Sequence, residues 1–167
     1  MGGYEIAVDM SGDWKYIGVV VFLGRPRRSF RPHVASLNRR ARMRAIRELI
    51  DAGSHGEVYA VCIRAEARIR ARQMYMITRN KHSAWRVVLS QELNKASQHL
   101  RSVRFWPILR IHADNEFRLF EDVLRKVFKT NNIVIGKDDY VAFADVVAYI
   151  NLRHGGLLKS AKNIAEL

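Results

Sequence analysis

Two short apolar segments open the chain and are separated by a polar turn. Residues 4–10 form the first segment, and residues 15–23 form a longer one that is rich in β-branched side chains. β-Branched and aromatic residues favour strands, and the intervening Ser11-Gly12-Asp13 is typical of a tight turn. The pattern therefore predicts an antiparallel hairpin.

The next segment predicts an edge strand followed by a helix. Residues 29–34 fit a short strand, and Pro32 restricts it to the edge of a sheet because proline cannot donate a backbone hydrogen bond. Apolar residues then recur at helical spacing over residues 37–52. Ser36 is the expected N-cap of this helix, and Gly53 is the residue expected to end it.

Strands and helices alternate through the rest of the chain. Residues 57–64 are almost continuously apolar and predict a central strand. Residues 64–72 alternate as a strand does, but their content of Ala, Arg, Glu and Gln favours a helix, and we interpret them as helical. Further helices are predicted at residues 83–100, 115–129 and 140–153, the last ending at Gly155-Gly156, with strands at 103–111 and 132–135. This order predicts one α/β domain over residues 1–167, with a mixed β-sheet flanked by helices.

The composition of the chain is unusual mainly in its excess of positive charge. The formal net charge is +13, and no carboxylate lies between Asp13 and Glu48 or between Glu66 and Glu92, although both stretches are rich in arginine. An ordinary soluble surface intersperses both signs, so this segregation favours a nucleic-acid partner, with DNA expected rather than RNA. The candidate nucleic-acid contacts are Arg25, Arg27, Arg28, Phe30, Arg31, Arg40, Arg44, Arg47, Arg68, Arg70 and Arg72.

Other features exclude several classes of protein. Cys62 is the only cysteine, so the chain has no disulfide framework, and its apolar surroundings predict a buried thiol. No apolar stretch approaches the about 18 residues of a membrane span, and no signal-like segment opens the chain. Gly-rich phosphate loops, Ser-His-Asp sets and Cys-x-x-Cys zinc motifs are also absent from the sequence. A soluble, cytoplasmic protein with no membrane partner is therefore expected.

Three aspartates stand where an apolar core would not normally carry a charge. Asp9 lies at the end of the first apolar run, Asp114 follows a later one, and Asp145 interrupts an apolar helix. A buried, unpaired carboxylate is costly, so such residues are usually paired or bound to metal. Carboxylates are hard ligands suited to Mg²⁺ or Mn²⁺, and two ions about 3.5–4 Å apart can clamp a phosphodiester during displacement.

The same residues carry a resemblance to a known family. A strand ending in Asp, a hairpin, a third strand, a helix, further strands and a final acid-bearing helix resemble the ribonuclease H-like fold. More narrowly, Asp9-Met10-Ser11-Gly12-Asp13 is similar to the Asp-Glu-Ser-Gly opening of a little-characterised family within that superfamily. Residues 142–149 are similar to that family's closing Leu-Gln-Leu-Ala-Asp-Leu-Val-Ala helix.

The resemblance implies that Asp9, Asp114 and Asp145 take the metal-binding positions. Met10 replaces the Glu of the opening motif, and Phe143 stands where the closing motif has Gln. These departures affect the substrate contacts of the family and leave the aspartates unchanged.

Several further side chains are candidates for the same site. Glu48 lies on the first predicted helix, which carries a Glu in ribonuclease H, but a salt bridge to Arg44 explains it equally well. His112 shares a strand face with Asp114, so it either orients a water or metal there or is a hydrogen-bonded core residue. The other candidate ligands are Glu66, Glu116 and Asp139, and both Asp138 and Asp139 are expected to cap the last helix.

These observations predict a metal-dependent nuclease that acts on single-stranded or branched DNA. Asp9, Asp114 and Asp145 would hold the ions, with Glu48 as a further catalytic candidate, and the arginines would hold the phosphate backbone. Two alternatives stay open: a non-catalytic nucleic-acid-binding protein with the same fold, and a basic scaffold that faces an acidic partner protein.

Overall fold

The protein is built around a mixed sheet of six strands in a computed structural model that describes residues 2–24, 37–158 and 164–167. Within the last helix, side chains are described as far as residue 149. The strands are β1 (Tyr4–Met10), β2 (Tyr16–Phe22), β3 (Val58–Arg64), β4 (Ile108–Ala113), β5 (Ile133–Ile135) and β6 (Ile164–Glu166). The helices are α1 (Arg39–Ser54), α2 (Ala67–Thr78), α3 (Lys81–Ser102), α4 (Glu121–Phe128) and α5 (Asp139–Leu158), with a 3₁₀ helix at Asn115–Phe120. This is the predicted α/β class with a mixed sheet.

The strand order is β5-β4-β1-β2-β3-β6. β2 runs antiparallel to both β1 and β3, which confirms the predicted hairpin, while β4 runs parallel to β1 and β5 parallel to β4. The carboxyl ends of β1, β4 and β5 therefore meet at one edge of the sheet. From β1 the chain builds outward in both directions, towards β2 and β3 on one side and towards β4 and β5 on the other.

Alternation along the strands divides the core into two layers. Ile6 and Val8 of β1 face a layer covered by α2, α3, α4 and the 3₁₀ helix. Ala7 of β1 and Val20 of β2 face the opposite layer, which is covered by α1 and α5. Asp9 is two residues after Ala7, so its side chain points to the α5 layer.

The ends of several elements differ from the prediction. α1 begins after Asn38, whose side chain accepts a hydrogen bond from the Ala41 backbone N–H (2.8 Å), so Ser36 is not its N-cap. Gly53 is buried inside α1 and does not terminate it. The predicted strand at residues 29–34 lies outside the described residues.

The middle and end of the chain show the same kind of difference. α2 confirms the helical interpretation of residues 64–72, although β3 continues to Arg64 and the helix begins at Ala67. β4 begins at Ile108, because Phe105 and Trp106 pack against the core from the segment that precedes it. α5 continues through Gly155 and Gly156, which were expected to end it.

Gly18 permits a close approach between α5 and the sheet. A Cβ atom at this position would lie 2.4 Å from the backbone oxygen of Ala144 and 3.1 Å from Cβ of Val147. α5 thus rests directly on β2 at the point where Gly18 pairs with Asp9.

Substituting Gly18 by Ala tests this packing. Backbone atoms of α5 block the added methyl group, so we expect Gly18→Ala to lower the free energy of unfolding by about 1–3 kcal/mol. Gly12→Ala is the matched control, since a Cβ at Gly12 meets nothing within 4 Å, and we expect a change within about 0.5 kcal/mol. Urea unfolding followed by circular dichroism measures both, and an equal loss in the two variants would contradict the packing described.

Candidate functional site

Asp9 and Asp114 lie side by side at the carboxyl edge of the sheet. Asp9 is near the end of β1, and Asp114 directly follows β4, the parallel neighbour of β1. The Asp114 backbone N–H donates to the Val8 carbonyl at 3.2 Å, which holds the two chain segments together at this point. Both aspartates are buried, with 4% and 5% of their surfaces exposed.

Asp145 joins these two residues from α5. The preceding residue, Ala144, has its carbonyl against Gly18 of β2, and Gly18 is the antiparallel partner of Asp9. Asp145 is half-buried at this crossing. The sheet and one helix therefore bring together three carboxylates that lie far apart in sequence.

The electrostatics of Asp9 reflect this crowding. Burial raises the pKa of the Asp9 carboxyl well above its usual value, and the charges of Asp145 and Asp114 raise it further. A hydrogen bond from the Met10 N–H (2.8 Å) and the charge of Lys137 act in the opposite direction without cancelling the rise. Asp9 is thus in a position that favours either a proton or a nearby cation.

The three carboxylates do not form a preformed coordination shell. Within residues 2–24, 37–158 and 164–167, no group of three or more His, Cys, Asp or Glu side chains is close enough to hold a metal ion. Charges interact over several ångströms, whereas Mg²⁺ needs oxygen atoms at about 2.0–2.1 Å. Asp114 is also committed to a hydrogen bond, because its Oδ2 accepts from the Glu116 N–H at 3.1 Å.

The turn after β1 is built by its own side chains. Tyr16 N–H donates to Ser11 Oγ (3.0 Å), and the Ser11 hydroxyl donates to Asp13 Oδ1 (2.9 Å), which also accepts from the Lys15 N–H (3.1 Å). Burial raises the pKa of Asp13, but these hydrogen bonds and the charge of Lys15 outweigh it and leave that pKa below its usual value. Ser11 and Asp13 therefore shape the turn that follows Asp9.

His112 forms a second polar cluster beside the aspartates. Its Nδ1 lies 2.8 Å from Asp138 Oδ2, its Nε2 lies 3.2 Å from Glu5 Oε1, and its ring stacks on Tyr140 at 3.8 Å between centroids. The Tyr140 hydroxyl donates to Glu5 Oε2 at 3.2 Å. Both ring nitrogens of His112 thus face carboxylate oxygens, so the ring bridges two acidic side chains. This network joins β1, β4 and the beginning of α5.

Asp138 caps α5, as the sequence predicted. Its Oδ1 accepts from the Val141 N–H at 2.8 Å. Burial raises the pKa of Asp138, but hydrogen bonds from His112, Val141 and Tyr140, together with the charge of His112, hold that pKa below its usual value. Glu5 and Tyr140 were missed by sequence reasoning. The sequence signal for Glu5 is its position four residues before Asp9, which places both side chains on the same face of β1.

The other candidate acids are placed differently. Glu48 lies on α1, and its charge is not among those that shift the pKa of Asp9. Glu66 precedes α2 and pairs with Arg64 at 3.3 Å, which explains it as a structural residue. Glu116 is exposed and donates its backbone N–H to Asp114, and Asp139 is the first residue of α5.

The arginines of α2 point in two directions. Arg68 and Arg72 are one turn apart and line a cleft of about 600 Å³ with Tyr75 and Trp85. Arg70 lies on another face of the helix, where it pairs with the fully buried Glu92 of α3 and bonds to Gln91. Arg70 therefore does not share a helix face with Arg68 and Arg72, because a helix turns by about 100° per residue and separates positions two apart. Its contact with nucleic acid stays a prediction.

The arginines of α1 form a separate basic surface. Arg40 and Arg47 line a cleft of about 540 Å³ with Arg39 and Met43. Arg44 is exposed on the same helix. The remaining candidates, Arg25, Arg27, Arg28, Phe30 and Arg31, lie outside the described residues.

Two comparisons of the chain with known proteins give no match. No protein-family model matches it, and no curated protein matches it significantly. Among the described residues, no helix has both the length and the apolar character that crossing a membrane requires. The fold and site define an α/β protein with a mixed sheet and three carboxylates gathered at the carboxyl edge of its central strands.

Arg70 and Arg72 lie on different faces of α2, so their substitution should change the stability of the protein by different amounts. Arg70→Gln removes a charge that compensates the buried Glu92, and we expect a loss of about 2–3 kcal/mol in the free energy of unfolding. This is below the about 3–5 kcal/mol typical of a broken buried pair, because Lys95 still contacts Glu92 at 3.1 Å. Arg72→Gln is the matched control and should stay within about 0.5 kcal/mol. Urea unfolding checks both, and a reversed order would contradict the assignment.

The raised pKa of Asp9 predicts a pH-dependent cost to folding. The folded state holds the Asp9 proton more tightly than the unfolded state does, so the free energy of unfolding falls as pH rises from the usual value of 3.8 through the raised one. We expect Asp9→Asn to be more stable than the wild type at pH 7 in EDTA, with a smaller difference at pH 4. Urea unfolding at the two pH values measures this. A wild type that is the more stable protein at pH 7 would show that the Asp9 charge is well compensated.

Proposed function

We propose that the protein is a metal-dependent nuclease of ribonuclease H-like architecture that hydrolyses phosphodiester bonds in single-stranded or branched DNA. Asp9, Asp114 and Asp145 are the proposed ligands of Mg²⁺ or Mn²⁺. The observation that carries the proposal is the buried Asp9 with two like-charged carboxylates beside it at the carboxyl edge of the sheet. Carboxyl groups whose pKa is shifted by burial and by neighbouring like charges cluster at functional sites.

The position of the site in the sheet supports this function. In open α/β sheets, ligands bind beyond the carboxyl ends of strands where the strand order reverses. Here that point is β1, from which the chain proceeds to β2 on one side and later returns to β4 on the other. Asp9 lies near the end of β1, and Asp114 directly follows β4, the two strands that border this point. The order of elements, from a strand ending in Asp to a final helix carrying Asp145, supports the ribonuclease H-like assignment.

The donor set fits a hard divalent cation. Three carboxylates supply only oxygen ligands, and a cation among them would relieve the repulsion that raises the pKa of Asp9. The side chains of Asp114 and Asp145 would turn towards Asp9 to reach coordination distance, with Asp114 releasing the Glu116 N–H. When bound, such an ion supplies an activated water and neutralises charge on the scissile phosphate. Lys137, whose charge already acts on Asp9, places a cation at the same edge.

The distribution of positive charge supports a polyanionic substrate. The net charge of +13 and the basic clefts on α1 and α2 provide sequence-independent attraction for phosphates. These contacts would hold the backbone while the carboxylates face the reacting phosphate. On α2, Arg68 and Arg72 line the cleft, whereas Arg70 pairs with Glu92.

A second candidate function is binding of nucleic acid without cleavage. The observation that favours it is the lack of a preformed metal-binding group among the described residues. In that case Asp114 serves as the cap of the 3₁₀ helix, and burial with the neighbouring charges raises the pKa of Asp9 without a metal ion being involved. The basic clefts would have the same role in both functions.

Cleavage of labelled oligonucleotides tests the proposal. We expect the wild type to cleave single-stranded or branched DNA with Mg²⁺ or Mn²⁺ and to be inactive in EDTA. Asp9→Asn and Asp145→Asn should each lose more activity than the about 10–100-fold cost of removing an outer hydrogen-bond partner of a metal ligand. Both should bind DNA at least as tightly as the wild type, because each removes a negative charge.

Asp51→Asn is the matched control for these variants. Asp51 lies on α1 and pairs with His55 at 3.3 Å, away from the aspartate group. Its substitution should leave cleavage unchanged. Full activity of Asp9→Asn, or cleavage that persists in EDTA, would rule out the proposed site, while tight binding without any cleavage favours the second candidate.

A further inference from the structure

A cleft between α2 and α3 combines cations with aromatic rings. It has a volume of about 600 Å³, which falls within the about 300–1,000 Å³ of typical small-ligand sites. Its lining residues are Arg68, Ala71, Arg72, Tyr75, Lys81 and Trp85. This lining contains no carboxylate, so the cleft offers positive charge and flat apolar surface together.

The aromatic side of the cleft is supported from behind. The ring of Trp85 packs edge-on against Trp14 at 5.3 Å between centroids, and Trp14 packs in turn against Phe117 at 5.2 Å. Trp14 itself is buried. Tyr75 stands at the rim with 46% of its surface exposed. One ring is therefore held in place by the core, and the other is open to a ligand.

The cations of the cleft are available for a ligand. Within the described part of the chain, Arg68, Arg72 and Lys81 form no ion pair. Two nearby arginines differ, since Arg70 pairs with Glu92 and Arg86 pairs with Asp122. Basic side chains that line a concave surface without internal partners are typical of phosphate contacts.

The cleft lies at the same end of the sheet as the three aspartates. The Ala67 N–H donates to the Trp14 carbonyl at 3.0 Å, so α2 starts from the turn that follows Asp9. Phe117, behind Trp14, belongs to the 3₁₀ helix that Asp114 caps. Trp14 thus contacts both the cleft wall and an element that begins at the acidic site.

We propose that this cleft binds an unpaired nucleotide of a single-stranded nucleic acid, with the base against Tyr75 and Trp85 and the flanking phosphates on Arg68, Arg72 and Lys81. Base stacking on aromatic rings tolerates any sequence, because every base has a flat face. A regular duplex keeps its bases stacked on one another and cannot offer that face. The inference deepens the proposed function and rests on it for the fate of the strand, whereas binding in the cleft requires no metal.

Fluorescence anisotropy with a labelled single-stranded oligonucleotide in EDTA tests binding without cleavage. A blunt duplex of the same sequence is the comparison ligand. We expect the wild type to prefer the single strand. The double variant Arg68→Gln/Arg72→Gln should weaken single-strand binding at least about tenfold, since it removes two phosphate contacts.

Tyr75→Leu tests the aromatic contribution with the charge unchanged. Tyr75 is exposed, so its substitution leaves the core intact, and circular dichroism verifies the fold. We expect single-strand binding to weaken roughly fivefold or more, the lower end of what the loss of one base stack costs. Duplex binding should stay the same.

Arg101→Gln/Arg104→Gln is the control for total charge. Arg101 lies in the last turn of α3 and Arg104 just after it, at the opposite end from Lys81 and Trp85, and their loss changes the net charge by the same amount. We expect a change of no more than about threefold. Equal weakening by the cleft and control variants, equal affinity for strand and duplex, or binding of an acidic peptide alone would overturn the inference.

The outcomes separate this inference from the proposed function. Single-strand binding that depends on Tyr75 and Arg68/Arg72, without any metal-dependent cleavage, supports the cleft and refutes the nuclease. Metal-dependent cleavage that is unaffected by the cleft variants supports the nuclease and refutes the cleft.

Discussion

The close contact between α5 and β2 sets the character of the acidic edge. α5 rests on the sheet where Gly18 has no side chain, and Gly18 is the strand partner of Asp9. Asp145 therefore stands over a carboxylate that is already screened from water and lies beside Asp114. The charge on Asp9 is poorly solvated and repelled on two sides, which is a cost that ordinary packing does not require. A divalent cation held by the three aspartates, as proposed, would offset that cost.

Local pattern was sufficient for most of the fold. The hairpin, the central strand and α3 follow from apolar periodicity that the tertiary structure reinforces. The single helix predicted at residues 115–129 differs, because it is divided into a 3₁₀ helix at Asn115–Phe120 and α4. The ends were less predictable because tertiary contacts decide them. Phe105 and Trp106 are apolar and resemble strand residues, yet they pack against the core from outside the sheet. Gly53 lies inside α1, where its lack of a side chain suits burial.

In the candidate site, too, some residues could be predicted from the local sequence and others depend on tertiary contacts. Asp9, Asp114 and Asp145 could be selected from the sequence because each interrupts an apolar segment. The partnership of His112 with Glu5 could not, because it exists only when β4 pairs with β1, and nothing local to either residue indicates that pairing. The predicted placement of the arginines of α2 depended on whether residues 64–72 form a strand or a helix. In a strand, Arg68, Arg70 and Arg72 would lie on one side. In the helix, Arg70 pairs with Glu92, and Arg68 and Arg72 line the cleft.

The imidazole of His112 has an influence beyond its own contacts. It connects the carboxyl end of β4 to Glu5 at the start of β1 and to Asp138 just ahead of α5, and it stacks on Tyr140 in the first turn of that helix. The helix is thereby fixed in position before the chain reaches Asp145, about two turns later. A change at Glu5 would therefore act on the placement of α5, and through that helix on the position of Asp145 relative to Asp9 and Asp114.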